Sequence, residues 1–170
     1  MQRALLMKSL VELYNQFDIT WDTDITAMKP TDFPIMSDLY NLIQKKAASE
    51  KGQPAYNELV ALRHNSAEGA DSFIWNGHTT IKTTSRFICL DTHGLQGMSE
   101  NIKRAQYHNH NCWGWEQMSF DRTERVMMVC DEAYLMIDPT VPQSLVYLSN
   151  VSKRARKYEG SLVILPHLVV

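Results

Sequence analysis

The stretch Val126–Asp138, "VMMVCDEAYLMID", carries an apolar run straight into two adjacent carboxylates, Asp131 and Glu132. Neighbouring like charges cost little in a solvated loop. At the tip of a core strand they cost free energy, because partial burial favours the neutral acid and raises its pKa. A divalent cation offsets that cost. The apolar run also mounts the pair on a rigid element, which catalysis by positioning requires.

An apolar strand ending in Asp-Glu is the Walker B pattern of P-loop nucleotidases. In that pattern Asp131 is the candidate magnesium ligand, often acting through water, and Glu132 the candidate catalytic group that polarises or orients the attacking water. The bland reading is a strand that finishes in an acidic loop, and the surrounding context has to decide between the two.

Other reactive side chains are weaker candidates. "HNHNC" spaces His108, His110 and Cys112 at i, i+2 and i+4. Zinc binds such atoms, but on a helix His110 points away from the other two and no second cluster supplies further ligands. A polar helix surface is expected there. Trp113 and Trp115 could stack on bases, although packing against a sheet suits their area better. "SKRARK" holds Lys153, Arg154, Arg156 and Lys157, by default a solvated helix end favoured by the macrodipole. Asp91 is expected to be a local cap or turn residue, with lining of a nucleotide site as the alternative.

These residues need elements to position them. Leu6, Leu10, Leu13 and Phe17 make one helical stripe, and Ile35, Leu39, Leu42 and Ile43 a second. A third helix is expected from Pro54 to Ala67, with Leu59 and Leu62 supplying apolar contacts and Gly69 closing it. Strand-like alternation is absent before residue 70. Beyond it, three apolar runs, Ser85–Asp91, Arg125–Asp131 and Ser161–Leu165, are separated by helical segments. Ser99 is the expected N-cap of the first such helix. Leu145, Leu148 and Val151 should face inward from the second, with Gly160 as its C-cap. Buried runs alternating with helices predict a parallel sheet. Ligands bind at the carboxyl ends of such strands, where Asp91, Asp131 and Glu132 fall, with His167 after the third run. The expected organisation is an all-α lobe over residues 1–70 and a βαβαβ α/β segment over 71–170.

The bulk composition fits this reading. A chain of 170 residues is long enough for a real core, and 44% hydrophobic with 21% charged residues is ordinary for a globular protein. A net charge of -2 argues against a generally basic nucleic-acid coat, so DNA is not indicated, although a local patch stays open. Cys89, Cys112 and Cys130 are odd in number and widely spaced, and two sit inside apolar runs, which suits reduced, buried thiols in a cytosolic protein. No apolar stretch approaches the roughly 20 residues of a membrane span.

The segment Asp131–Ile164 resembles the TraE/TraC-like ATPases of conjugation and type IV secretion, which are RecA-like P-loop motors. Ala133 and Tyr134 after the acidic pair match that family, as do Arg156, Lys157 and Tyr158 before the next core strand. "FIWNGHTTI" (Phe73–Ile81) resembles the family's re-entry into the core, and "SDLYNLI" (Ser37–Ile43) an element of its all-α insertion. The resemblance covers nearly the whole chain and is strongest from Ser85 to Gly160. It implies Mg2+ and ATP as cofactors of the intact family member, and other secretion and conjugation components as partners. It further implies a hexameric ring, with Arg156 the better candidate for a finger reaching a neighbour's nucleotide. The location implied is cytoplasmic, peripheral to the inner face of the membrane through partners.

One motif is missing. The seven glycines never fall in G-x-x-x-x-G-K-[ST], so the chain lacks the backbone cradle and lysine for β- and γ-phosphates. Pro166 and His167 stand where the family carries a polar phosphate-sensing residue. The expectation is an internal piece of such an ATPase, or a truncated product, that is inactive alone. The competing expectations are a non-catalytic interaction module or scaffold, and an unrelated α/β protein with a chance acidic pair.

Overall fold

The computed structural model of the chain describes residues 1–49, 54–81, 85–131, 133 and 142–165. They divide into two compact units, Met1–Arg86 and Phe87–Val170. The first unit runs past the boundary expected near Asp71. Asn76 ties the segment after α4 (Ser72–Trp75) back to the helices: its amide donates to the Ala67 carbonyl at 3.0 Å and its Oδ1 accepts from Ser37 N–H at 2.9 Å.

The first unit holds helices, turns and irregular segments, with no strand among its described residues. Helix α1 spans Gln2–Gln16, α2 Met36–Ser49 and α3 Pro54–Ala67. Pro54 opens α3, where its missing N–H has no partner to lose. Leu13, Leu39, Leu42, Ile43, Tyr56 and Leu59 form the core, with Leu5, Leu6 and Leu10 packed against it. Ile43 and Leu59 are almost wholly buried, each worth about 1.5–3 kcal/mol. Between α1 and α2 the chain takes two short 3-10 turns, Ile25–Ala27 and Pro30–Asp32. Asp24 accepts the Thr26 N–H, and Asp32 the Lys29 N–H, which is how the short polar residues of this stretch satisfy its backbone.

Two residues of the expected apolar stripes lie outside. Phe17 sits past the end of α1, where its N–H caps the Tyr14 carbonyl. Leu62 is 60% exposed, because the buried stripe of α3 runs through Ala55, Tyr56, Leu59 and Ala67 and leaves it at the edge.

The second unit contains α5 (Glu100–Phe120), β1 (Met127–Cys130), α6 (Pro142–Ala155) and β2 (Ser161–Ile164). The two strands are parallel, with Met127 opposite Ser161 and Cys130 opposite Ile164. Two of the three expected strands therefore form, adjacent and parallel. The third does not: Ser85–Asp91 has no strand among the described residues, and the βαβαβ expectation reduces to one pair of strands with α6 between them in sequence. A strand exists only through ladder partners. Phe87 is 85% exposed and Cys89 is exposed, so the apolar content of this run did not make it a core strand.

Three local details also differ from expectation. Leu145 is 54% exposed, while Leu148, Val151 and Ala155 are buried. A helix of 14 residues is longer than a strand of four, so the first turn of α6 overruns β2. Ser99 occupies the N-cap position of α5 but makes no side-chain cap; its carbonyl accepts from Ile102 and Lys103 N–H. Glu159, not Gly160, takes the left-handed conformation after α6, with φ 52°. Gly160 is required by close approach instead, since a Cβ there would run into the Met118 side chain.

Candidate functional site

Strand β1 descends from exposed Met127 to buried Cys130 and delivers Asp131 at its carboxyl end. Two backbone hydrogen bonds tie this end. Leu165 N–H donates to the Cys130 carbonyl at 3.0 Å, and Ala133 N–H donates to the Leu165 carbonyl at 3.3 Å. Asp131 is exposed to solvent at this edge, while Ala133 is buried beneath it. Burial pushes the Cys130 thiol above its ordinary pKa, so it sits there as a neutral apolar anchor. Glu132, Tyr134, Pro166 and His167 lie outside the described residues.

Arg156 is exposed in the 3-10 turn Arg156–Tyr158 that follows α6. That turn is clamped from α5 and the loop after it. The Tyr158 ring meets Trp115 edge-on, with centroids 5.2 Å apart, and the Arg122 guanidinium lies 4.7 Å over its face. Arg125 reaches Glu159 at 3.8 Å, and Gly160 N–H closes on the Ala155 carbonyl at 2.9 Å. Trp115 thus packs on this turn, where packing against the sheet was expected. Nothing in the sequence pairs residue 115 or 122 with 158, so this clamp was not legible there.

The "HNHNC" segment lies on α5. Cys112 Sγ and His108 Nε2 are 3.6 Å apart, while burial lowers the pKa of His110, whose Nδ1 has no partner. Tyr147 of α6 donates to the Asn111 carbonyl at 2.6 Å and stands edge-on to His108. Burial, then the neighbouring Cys112, hold its phenol well above the usual range. This is the packing seam between α5 and α6. No group of three metal-ligating side chains exists among the described residues. Asp91 is a local cap: its Oδ1 accepts the His93 N–H at 2.8 Å.

The solved structure of VirB4 from Thermoanaerobacter pseudethanolicus aligns with this chain at a TM-score of 0.87 and 41% sequence identity, over 97% of the chain. The chain belongs to the VirB4 family. This is the type IV secretion and conjugation group that the segment Ser85–Gly160 resembles. The chain spans 44% of the length of that VirB4. No protein-family model matches it, and no curated protein does. As a VirB4-family chain, it contains no helix among the described residues long and apolar enough to cross a membrane.

Proposed function

We propose that this chain carries the Walker B edge of a VirB4-family motor, a RecA-like ATPase whose hydrolysis of ATP drives substrate translocation or channel assembly in type IV secretion. The observation that carries this reading is the parallel strand β1 ending in solvent-exposed Asp131, in a chain 41% identical to VirB4. In this reading the helical unit Met1–Arg86 corresponds to the all-α insertion and Phe87–Val170 to part of the motor.

A magnesium ion suits this edge. It demands hard oxygen ligands and keeps several waters, so an exposed carboxylate such as Asp131 would suit it as one ligand. When bound, magnesium would supply charge neutralisation at the phosphates. Asp131 would hold the ion, and Glu132 would orient the attacking water. Arg156, on its clamped turn, reaches the nucleotide of the next subunit in a ring. The chain's own sequence has no phosphate loop, so alone it binds Mg-ATP only in the millimolar range or weaker and does not turn it over.

The test is Glu132→Gln and Asp131→Asn in a full-length protein that contains this chain and a phosphate loop. Glu132→Gln keeps shape and loses the charge that orients water; turnover should fall by about 10²–10⁴ with Mg-ATP affinity largely kept. Asp131→Asn should weaken magnesium-dependent binding. Turnover by Glu132→Gln at the unsubstituted rate would remove the catalytic role from the pair.

A further inference from the structure

Helix α1 has two apolar faces. Leu6, Leu10 and Leu13 turn toward the core of the helical unit. Met7, Val11 and Tyr14 turn outward: Met7 is 53% exposed, and Val11 and Tyr14 are exposed as well. Together with Leu10, Ile19 and Trp21 they line an apolar groove of about 270 Å³ between α1 and the loop that follows it. Trp21 borders this groove with 89% of its surface in water. A tryptophan ring left so exposed forgoes a large burial.

The two ends of this outer face carry opposite charge. Arg3 stands on the stripe one turn before Met7, since residues three and four apart share a helix face. Asp18 and Asp22 flank Ile19 and Trp21 at the other end, and all three charged residues are exposed. Neither Arg3 nor Asp18 has an ion-pair partner among the described residues. A face with a cation at its start, apolar residues in its middle and acids at its end is complementary to itself when turned end for end.

We propose that this face of α1 pairs with the same face of a second copy of the chain, antiparallel, about a two-fold axis between Leu10 and Val11. The register follows from the even rise of a helix. It sets Leu10 against the second copy's Val11, Met7 against its Tyr14 and Arg3 against its Asp18, and symmetry makes every contact twice. Trp21 then covers the first turn of the second copy, where Met1 is also exposed. An anionic membrane does not suit the face, because Asp18 and Asp22 would meet its headgroups. The 15 residues of α1 make a stripe about 22 Å long and 10 Å wide. That is small beside the roughly 800 Å² per partner of a standard interface, so the dimer is weak, with a dissociation constant of about 10–100 μM. The proposal concerns the helical unit alone and stands independently of the ATPase reading.

The experiment is sedimentation equilibrium of the 170-residue chain from about 1 to 200 μM, which brackets such an affinity. A monomer–dimer equilibrium is expected. Val11→Glu should weaken it about tenfold or more, because the axis brings the two new carboxylates together. Arg3→Glu should weaken it about fivefold, and less at high salt. Asp18→Asn gives the sharper readout, and Asn tolerates the φ of 58° found there. It should weaken the parent dimer about twofold yet tighten the Arg3→Glu dimer, since in that background it removes a repulsion. Circular dichroism checks that each variant folds, and the milder Met7→Gln should act in the direction of Val11→Glu. Arg154→Glu, the same charge change at an exposed position of the second unit, should leave the dimer unaltered. The proposal is overturned if the chain stays monomeric at about 200 μM, if the dimer is indifferent to Val11→Glu, or if Asp18→Asn acts with the same sign in both backgrounds. Binding of a monomer to phosphatidylglycerol vesicles that Val11→Glu abolishes would overturn it too, and would give the face to a membrane.

Discussion

The helical unit and the α/β unit solve burial differently. In Met1–Arg86, three helices close on one another, and Ile43, Tyr56 and Leu59 are almost wholly removed from water. In Phe87–Val170, two strands of four residues leave Met127 65% and Val129 54% exposed, and Leu145 and Val146 of α6 are more than half exposed as well. The reason is geometric. A helix satisfies its own backbone and needs only one covered stripe. A strand depends on a neighbour for its hydrogen bonds and on a covering layer for its apolar face, and the two strands among the described residues leave much of both uncovered. The helical unit thus carries most of its stability within itself, while β1 and β2 hold Asp131 with little local reserve.

Core substitutions test that contrast most sharply. Ile43→Ala should cost about 2–5 kcal/mol in urea unfolding, because a fully buried side chain leaves a cavity. Val129→Ala should fall within about 0.5 kcal/mol of the parent, as for exposed positions. Equal losses would mean that the β1 face is covered after all.

Backbone positions give a smaller effect. Gly160→Ala should destabilise by about 1–3 kcal/mol, since its Cβ meets Met118, which is fully buried and has little room to retreat. Gly77→Ala meets nothing within 4 Å and lacks a left-handed φ, so it should be neutral or stabilising by up to about 1 kcal/mol. Thermal melts of the two variants that shift together would contradict this pairing.

Amide exchange should rank the units without any substitution. The central amides of α2 and α3 should exchange more slowly than those of β1 and β2, because protection follows buried contacts and closed ladders. Faster exchange in α3 than in β1 would reverse the assignment of stability.

The smallest expected effect is on the alkaline side. Burial raises the Cys130 thiol in the folded chain, so the unfolded chain loses that proton first as pH rises. The neutral thiol's contribution is complete below the unfolded pKa, roughly 8.5, and is lost as pH climbs from there through the folded value. Denaturation midpoints taken from pH 7 to 10 should fall more for the parent than for Cys130→Ala. Identical slopes would show that Cys130 is not the group responsible.

Much of this was legible in the sequence. Helix stripes at Leu39, Leu42, Ile43 and Leu59 follow from period and apolar content, which act over one or two turns. The apolar runs around Met127–Cys130 and Ser161–Ile164 were read as parallel neighbours because a helical segment separates them, and they are. The Walker B reading of Asp131 and Glu132 came from the same local pattern; the structure adds that Asp131 is exposed at the strand's carboxyl end. What sequence could not decide depends on partners remote along the chain. Ser85–Asp91 has the composition of a strand, yet no ladder among the described residues receives it. Leu62 and Leu145 match an apolar period, but whether anything lies opposite them is a tertiary matter. The contacts of Tyr158 with Trp115 and Arg122 join residues more than thirty positions apart, and they bring the loop after α5 against the turn after α6. Local periodicity determined the elements; only packing decided which faces are covered, which run gains a ladder, and which charges stand together.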